Sequence, residues 1–176
     1  MPLTLYAETK LMGEEKIRRS FNNYIIARVP LLFGYGNGGT KNNFVAMIES
    51  FMKGERVRLF SDQFRTPLSV RETAAIITRL LKTEFNNEII NLSSSRRVSR
   101  VEIGELACGF GDFDKSLINS VSMSSVPDLI SVADVSLNIS RLRSRGIEPA
   151  LIETMIEEEV NFMKTNCNYL GTLKIE

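Results

Sequence analysis

Tyr6 and Lys10 stand four residues apart near the start of the chain, in the stretch YAETKLMGEE. On a helix this spacing places both side chains on one face. A free phenol, with a pKa of about 10, is a poor acid or base at neutral pH, but a nearby ammonium stabilises the phenolate and lowers that pKa. The pair could therefore donate a proton to a carbonyl oxygen that receives hydride, or remove one in the reverse direction. The alternative is a surface pair that adds about 0.2–0.5 kcal/mol to helix stability.

The composition limits the other kinds of chemistry. The 176 residues contain no histidine, which excludes Ser–His and Cys–His nucleophile pairs and most zinc sites. A net charge of +1 gives no reason to expect a nucleic-acid partner, and no apolar run is long enough to span a membrane. Buried or idle thiols are the simpler interpretation of Cys108 and Cys167, and a disulfide between them is the alternative. We therefore expect a cytoplasmic protein.

Gly34, Gly36 and Gly39 form a literal G-x-G-x-x-G, the pattern of a dinucleotide-binding turn. Asp62 follows at the distance where a ribose-binding carboxylate would stand. Two features instead favour the alternative that this segment is a flexible loop lying above a cleft. The strand before the loop contains Pro30, which lacks an N–H and suits a strand end. Too few strands follow the loop to complete a nucleotide-binding sheet.

The hydrophobic pattern alternates between the helical and the strand period. Helices are predicted over residues 4–22, 42–54, 70–83, 99–109 and 150–164, and strands over residues 24–33, 56–60 and 88–94. The stretch 112–127 is serine-rich and poorly periodic. The helix over 70–83 has an apolar face formed by Val70, Ala74, Ile77 and Leu81.

Residues that favour helix ends support these boundaries. Thr4 is a candidate N-cap, and either Asn42 or Asn43 caps the second helix, with Gly54 just beyond its end. Ser99, followed by a glutamate three residues later, predicts a capping box.

Strands that alternate with helices indicate the α/β class. A doubly wound sheet needs about six strands, whereas three or four are visible here and the chain opens on a helix. We therefore expect the back part of something larger. An uncovered strand edge and apolar faces would then favour association.

Several sequence blocks occur in the order typical of one enzyme family. The first contains Pro2, Tyr6, Ala7, Lys10, Gly13 and Glu14, and the later ones are ARVPLLFGYG, NNFV, SDQFRTPLSVRETA, EIINLSSSRRVSRVEIGELA and ADVSLNISRLRSRGIEP. Together they resemble the C-terminal part of the extended short-chain dehydrogenase/reductases, in the branch that contains the dTDP-4-dehydrorhamnose reductases. The resemblance runs from residue 2 to about residue 160.

The resemblance implies a fold and a domain division. The fold is the C-terminal portion of a Rossmann-like doubly wound parallel sheet plus a small α/β substrate-binding lobe. Residues 1–40 and 68–95 would form the remainder of the sheet, residues 41–67 and 96–164 the lobe, and residues 165–176 a tail. The upstream glycine-rich cofactor loop and the Ser/Thr that assists the tyrosine are expected in an absent N-terminal half. The chain would thus begin at its active site because it is the back part of a reductase.

The resemblance also implies an activity and residue roles. Reduction of a keto group on a nucleotide-linked sugar is expected, with NAD or NADP bound only when the N-terminal half is present. Tyr6 would be the proton donor, and Lys10 its partner and a contact to the cofactor ribose. The backbone at Pro30 would lie against the nicotinamide. Asn43 would line the substrate cleft or act only as a helix cap, and Arg65 would contact the substrate diphosphate or pair with Asp62 in a turn.

One departure from the family pattern keeps a second function open. The branch has Arg-Pro before ADVSL, whereas this chain has Ser131–Val132, which removes a phosphate contact. The regulatory subunit of methionine adenosyltransferase is similar in the same region and is not itself a reductase. A non-catalytic regulatory or binding protein on the same scaffold is therefore the alternative. The expected partners are a nucleotide-sugar and either a second copy in a homodimer or a complementing N-terminal half.

Overall fold

The computed structural model describes residues 4–35, 42–84, 86–127 and 131–170, with side chains up to residue 166. The helices are α1 (Leu5–Ser20), α2 (Asn43–Met52), α3 (Val70–Leu80), α4 (Arg100–Gly111), α5 (Ser140–Arg143) and α6 (Ile152–Leu170). The strands are β1 (Ile25–Arg28), β2 (Leu32–Phe33), β3 (Val57–Phe60), β4 (Phe64–Arg65), β5 (Leu68–Ser69), β6 (Glu88–Asn91), β7 (Val98–Ser99) and β8 (Ile118–Val121).

The strands associate in pairs, most of which are parallel. β1 pairs with β6, β2 with β5 and β3 with β8 in parallel, whereas β4 and β7 are antiparallel. Parallel neighbours need a crossover connection, which here contains helices such as α2 and α3. The predicted α/β class is therefore confirmed.

The strand predicted over residues 24–33 is divided at Pro30, as its missing N–H suggested. β1 ends at Arg28 and β2 begins at Leu32. β1 pairs with β6, whereas β2 pairs with β5, and the N–H of Leu68 donates to the carbonyl of Leu31 at 3.2 Å. The proline thus lies where the chain changes its pairing partner.

The predicted helix caps are present. The Thr4 hydroxyl accepts the N–H of Ala7, and the Ser99 capping box is complete in both directions. Asn42, rather than Asn43, caps α2 through its side-chain oxygen. Gly54 lies just past the end of α2 with a φ of +72°, a conformation that glycine adopts without a steric cost.

The core lies between the strands and the helices α2, α4 and α6. Its fully buried members include Ile48, Leu68, Ile76, Ile90, Leu92, Leu142, Met155, Ile156 and Met163. Cys108 is a free thiol buried in α4, and burial raises its pKa. The side chain of Cys167 lies outside the described residues. No helix in the described part of the chain is long and apolar enough to cross a bilayer.

The apolar face predicted for α3 is not the one that packs on the core. Thr73, Ile76 and Leu80 are buried, whereas the predicted face of Val70, Ala74, Ile77 and Leu81 is exposed. Both sets have helical spacing, so periodicity alone does not distinguish them.

A second difference lies in the serine-rich stretch, which contains β8. This short strand pairs with β3, but its two central residues are exposed, so it lacks a strong apolar pattern.

Gly104 allows α4 to pack closely against β3. A Cβ at this position would lie 2.4 Å from Leu59 Cδ1 and 3.4 Å from Ile118 Cδ1. Gly104→Ala should therefore not gain the roughly 1 kcal/mol of helix propensity that alanine normally gives, because the Leu59 side chain must move to make room. Gly109→Ala, in the same helix with nothing within 4 Å, is the matched control and should raise the free energy of unfolding by up to about 1 kcal/mol. Urea denaturation measures both. Equal effects of the two substitutions would contradict the close packing at residue 104.

Candidate active site

Helix α1 places Tyr6 and Lys10 side by side. The Lys10 Nζ lies 5.4 Å from the centroid of the Tyr6 ring, within the range of a cation–π contact. Tyr6 is 70% exposed, so its phenol is open to an incoming ligand. The Thr9 hydroxyl donates to the Tyr6 carbonyl at 2.8 Å and stabilises the first turn. The predicted proximity of the phenol and the ammonium is therefore present, and the catalytic role of the pair stays a prediction.

One ion pair ties α1 to the strands. No residue of α1 is buried, but the Arg28 guanidinium donates to both carboxylate oxygens of Glu14, at 2.8 and 2.7 Å. These hydrogen bonds hold the pKa of Glu14 below its usual value and raise that of Arg28. Among the described residues, no other polar side-chain contact joins α1 to another element. In the described chain this pair is thus the polar side-chain contact that holds α1, with Tyr6 and Lys10, against β1.

A cavity of about 520 Å³ lies beyond Pro30, between β2, α2, β3 and the start of α4. Its apolar lining includes Leu31, Phe33, Phe44, Met47, Leu59, Phe60 and Ile103. Its polar lining consists of Asn42, Asn43, Ser50, Arg58, Gln63 and Arg100. An apolar cavity with a few convergent polar groups is the usual form of a small-molecule site.

Arg100 is the most informative group in this cavity. Its Nε donates to Gln63 Oε1 at 3.0 Å, and Gln63 in turn donates to the Ser131 hydroxyl at 3.0 Å. Burial lowers the pKa of Arg100, and the positive charge of Arg65 lowers it further. Within the described residues neither Arg100 nor Arg58 forms an ion pair. An incompletely neutralised guanidinium in an apolar cavity attracts an anion.

Arg65 and Asp62 have other partners than the sequence suggested. The Arg65 guanidinium donates to the carbonyls of Phe64 and Ala133, at 2.6 and 3.2 Å. Asp62 instead accepts hydrogen bonds from the Ser122 hydroxyl and the Met123 N–H, at 2.6 and 2.8 Å. The alternative of an Arg65–Asp62 pair is therefore wrong.

Arg65 does not line the cavity, although its charge acts on Arg100. A contact between Arg65 and a substrate stays a prediction.

Of the two residues predicted near the substrate and the nicotinamide, Asn43 lines the cavity and Pro30 does not. Asn43 is the first residue of α2 and lines the cavity, while its neighbour Asn42 provides the cap. Pro30 precedes the lining residue Leu31. Tyr6 and Lys10 do not line the cavity.

The glycine pattern is only partly described. Gly36, Gly39 and also Pro2 lie outside the described residues. Gly34 has a φ of +121°. Asp62 accepts hydrogen bonds from Ser122 and Met123, just after β8, so its carboxylate already has partners within the fold. Whether the loop binds a dinucleotide stays as the sequence left it. No cluster of acidic or thiol side chains that could hold a metal is present among the described residues.

The profile of one protein family, described as the RmlD substrate binding domain, matches residues 1–161. The chain belongs to this family. Two curated relatives are similar to it. A probable low-salt glycan biosynthesis reductase, Agl14, of Haloferax volcanii is 28% identical over 129 residues, which are 71% of this chain and 42% of the relative. A dTDP-4-dehydrorhamnose reductase of Mycobacterium tuberculosis is 27% identical over 100 residues, which are 56% of this chain and 32% of the relative.

Solved structures show the same fold. The dTDP-4-dehydrorhamnose reductase of Bacillus anthracis, in complex with NADP, superposes with a TM-score of 0.77 at 23% identity, covering 94% of this chain and 56% of that one. The dTDP-glucose 4,6-dehydratase of the same organism, in complex with NAD, gives 0.78 at 16% identity, covering 96% and 55%. The predicted partial Rossmann-like fold is thus confirmed. The chain spans less than half of the length of the curated relatives it matches.

The sequence did not identify three of the polar residues that line the cavity: Arg58, Gln63 and Arg100. Arg100 directly follows the Ser99 cap, so the capping box at the start of α4 is the signal that fixes its position on the first turn. Nothing in the sequence shows that this turn faces α2 across a cavity. The neighbouring Arg96 and Arg97 form surface ion pairs, Arg96 with Glu102 and Glu153 and Arg97 with Asp134.

Glu14→Gln should loosen α1, because it removes the charge from the pair with Arg28. We expect the amides of α1 to exchange hydrogen about two- to fivefold faster, the effect of a partly exposed ion pair. Glu15→Gln is the matched control, because Glu15 pairs only within the helix, with Arg19 at 3.6 Å. Unchanged exchange in Glu14→Gln would contradict the role of the pair.

The same pair makes the docking of α1 pH-dependent. Because the pKa of Glu14 is lowered in the folded state, its contribution is complete above the unfolded value of about 4.3 and is lost as the pH falls through the folded value. Hydrogen exchange of the α1 amides, corrected for the pH dependence of the intrinsic exchange rate, should therefore be constant from neutral pH to about pH 5. It should accelerate below that pH. In Glu14→Gln this acceleration should be reduced.

Proposed function

We propose that this chain forms the substrate-binding and proton-donating part of a reductase of the dTDP-4-dehydrorhamnose reductase type. The reaction would be the NAD(P)H-dependent reduction of a keto group on a nucleotide-linked sugar. The observation that carries the proposal is the Tyr6–Lys10 pair on α1 in a chain of the RmlD substrate-binding domain family. The names of the similar reductases support it.

The mechanism rests on the phenol and the ammonium. As the keto oxygen gains negative charge, the Tyr6 hydroxyl donates its proton to that oxygen, and the Lys10 ammonium stabilises the phenolate that remains. A bound NADH or NADPH would supply the hydride. Lys10 and Tyr6 fit such a cofactor because both are exposed on one side of α1, where the donors of Lys10 can reach ribose hydroxyls. The backbone at Pro30 would lie along the nicotinamide.

The cavity next to β2 would hold the nucleotide end of the substrate. Arg100 and Arg58 offer positive charge to the two phosphates, and a planar guanidinium can donate two hydrogen bonds to phosphate oxygens. Asn43 offers a further donor from the first turn of α2. Arg65 would contribute to phosphate binding through its charge. It would contact the substrate diphosphate directly if its guanidinium released the carbonyls of Phe64 and Ala133.

An N-terminal nucleotide-binding half is part of the proposal. Leu5, Tyr6, Met12 and Phe21 are between 54% and 75% exposed, and α3 presents a second apolar face, so large apolar surfaces on these helices lack a cover. We propose that residues 1–40 and 68–95 complete a sheet with that half, while residues 41–67 and 96–164 form the substrate lobe. Because α6 runs to Leu170, the tail predicted over residues 165–176 does not begin at residue 165. The same surfaces could pair two copies in a homodimer. A cytoplasmic location stays a prediction.

A non-catalytic binding protein, similar to the methionine adenosyltransferase regulatory subunit, is the second candidate. The observation that favours it is that Tyr6 and Lys10 lie outside the cavity lining. The cavity could then bind a ligand without proton transfer. Replacement of the usual Arg-Pro by Ser131–Val132 favours it too.

Tyr6→Phe decides between the two candidates. In the chain supplied with a nucleotide-binding half, it should lower kcat by about a hundredfold or more, because the proton donor is lost. Its affinity for dTDP should be unchanged. Oxidation of NADPH by dTDP-4-dehydrorhamnose measures the rate, and Tyr24→Phe, outside the site, is the control. Full activity of Tyr6→Phe would contradict the reductase mechanism.

Arg100→Met tests the cavity on the chain alone. Loss of a charge-assisted contact should weaken dTDP binding by about ten- to a hundredfold, measured by calorimetry. Arg18→Met, an exposed arginine on α1, is the control for net charge and should bind as the wild type does. Equal affinity of both variants would place the nucleotide elsewhere.

A further inference from the structure

Glu159 of α6 is a buried carboxylate for which the proposed mechanism has no use. Its side chain is 3% exposed, and it is the one buried ionisable side chain among the buried polar residues of the described chain. Its neighbours in sequence include the fully buried Ile156 and Val160. A carboxylate in such surroundings is costly unless hydrogen bonds hold it.

The partners of Glu159 belong to the segment that follows β2 and to the start of α3. The Tyr35 N–H donates to Oε2 at 2.9 Å, and Arg71 at the start of α3 places its Nε 3.7 Å from Oε1. Arg71 is largely exposed, so the backbone hydrogen bond is the closer and better shielded of the two contacts. Glu159 therefore joins α6 to the Gly34–Tyr35 backbone.

Gly34 allows this approach. With a φ of +121°, it has a conformation that other residues rarely adopt. A Cβ at Gly34 would lie 2.8 Å from the Glu159 carboxylate carbon and 2.9 and 3.0 Å from its oxygens. The carboxylate thus occupies the space that a side chain at residue 34 would need.

Gly34 also connects this anchor to the cavity. The Asn42 Nδ2 donates to the Gly34 carbonyl at 2.7 Å, while the Asn42 side-chain oxygen caps α2. Phe33, directly before Gly34, lines the cavity, and so does Asn42. Two walls of the cavity therefore meet at the backbone that Glu159 holds.

Aromatic packing on the next turn of α6 reinforces the contact. The Tyr35 ring lies 5.7 Å from the ring of Phe162, centroid to centroid, and the Arg71 guanidinium lies 5.3 Å from the same ring. The side chain and the backbone of Tyr35 are thus both bound to α6. The Gly34–Tyr35 segment has little freedom while this cluster is intact.

We propose that Glu159 is a positioning residue for the nucleotide-sugar cavity. It does not line the cavity, but it fixes Gly34 and Tyr35 and thereby sets the position of Phe33 relative to the α2 N-terminus. The identity of the ligand rests on the proposed function; the positioning itself does not. Loss of the carboxylate–amide contact should widen the junction of the two walls and weaken ligand binding without removing any ligand contact.

Two substitutions separate the hydrogen bond from the charge. Glu159→Gln keeps an oxygen at the same reach, so the Tyr35 N–H retains its acceptor, and dTDP affinity should stay within about threefold of the wild type. Glu159→Asp keeps the charge but shortens the side chain by one methylene, so the hydrogen bond is lost, and affinity should fall by about tenfold. Both variants are expected to fold more readily than Glu159→Ala. Glu158→Gln, exposed on the same helix, is the control.

Calorimetry with dTDP and hydrogen exchange of the Tyr35 and Phe44 amides are measured together on the 176-residue chain. The proposal expects faster exchange at both amides in Glu159→Asp and near-wild-type exchange in Glu159→Gln. A merely structural role would lower the melting temperature of Glu159→Asp but leave its dTDP affinity and the Phe44 amide unchanged, and this result would overturn the proposal. If the wild type does not bind dTDP, the proposed function fails, and the two amides still decide whether Glu159 positions the cavity walls.

Discussion

The change of strand partner at Pro30 is the constraint on which the rest of the structure depends. Before it, β1 pairs with β6, and Arg28 at the end of β1 holds α1 through Glu14. After it, β2 pairs with β5 and places Phe33 in the cavity wall. A continuous strand would keep one partner throughout. Proline lacks the N–H that such a strand would use, so the strand is interrupted at Pro30. Pro30 therefore lies between β1, which contacts the Tyr6–Lys10 helix, and β2, which lines the cavity.

Glu159 is a buried charge and Arg100 a half-buried one, and the fold treats them in opposite ways. Glu159 is held by the Tyr35 N–H, with Arg71 nearby, so its charge is satisfied within the fold. Among the described residues, Arg100 donates to the neutral oxygen of Gln63 and forms no ion pair, and it lies near the guanidinium of Arg65. A satisfied buried charge fixes structure, whereas an unsatisfied one creates affinity for a ligand of opposite charge. This contrast explains why one group is assigned to positioning and the other to binding.

Much of the fold could be predicted because it depends on local signals. Thr4, Asn42 and the Ser99 capping box fix helix starts through side chains a few residues away, and Pro30 fixes a strand end by its own geometry. The Tyr6–Lys10 proximity follows from helical spacing. Such features need no knowledge of which elements become neighbours.

The remaining features depend on tertiary neighbours. Whether α3 buries Ile76 or Ile77 is decided by what packs on it, and both stripes have the same period. Arg100 becomes a cavity residue only because α4 faces α2 and β3. Glu159 lies among the acidic residues of an ordinary amphipathic helix, and its contact is with a backbone more than a hundred residues earlier in the chain. No sequence pattern marks such a pair.

The most direct test of the central claim is a crystal structure of the chain with dTDP. The account predicts the nucleotide in the cavity between β2, α2 and α4, with phosphate oxygens within hydrogen-bonding distance of the Arg100 guanidinium. A nucleotide bound elsewhere, with Arg100 still donating only to Gln63, would contradict it.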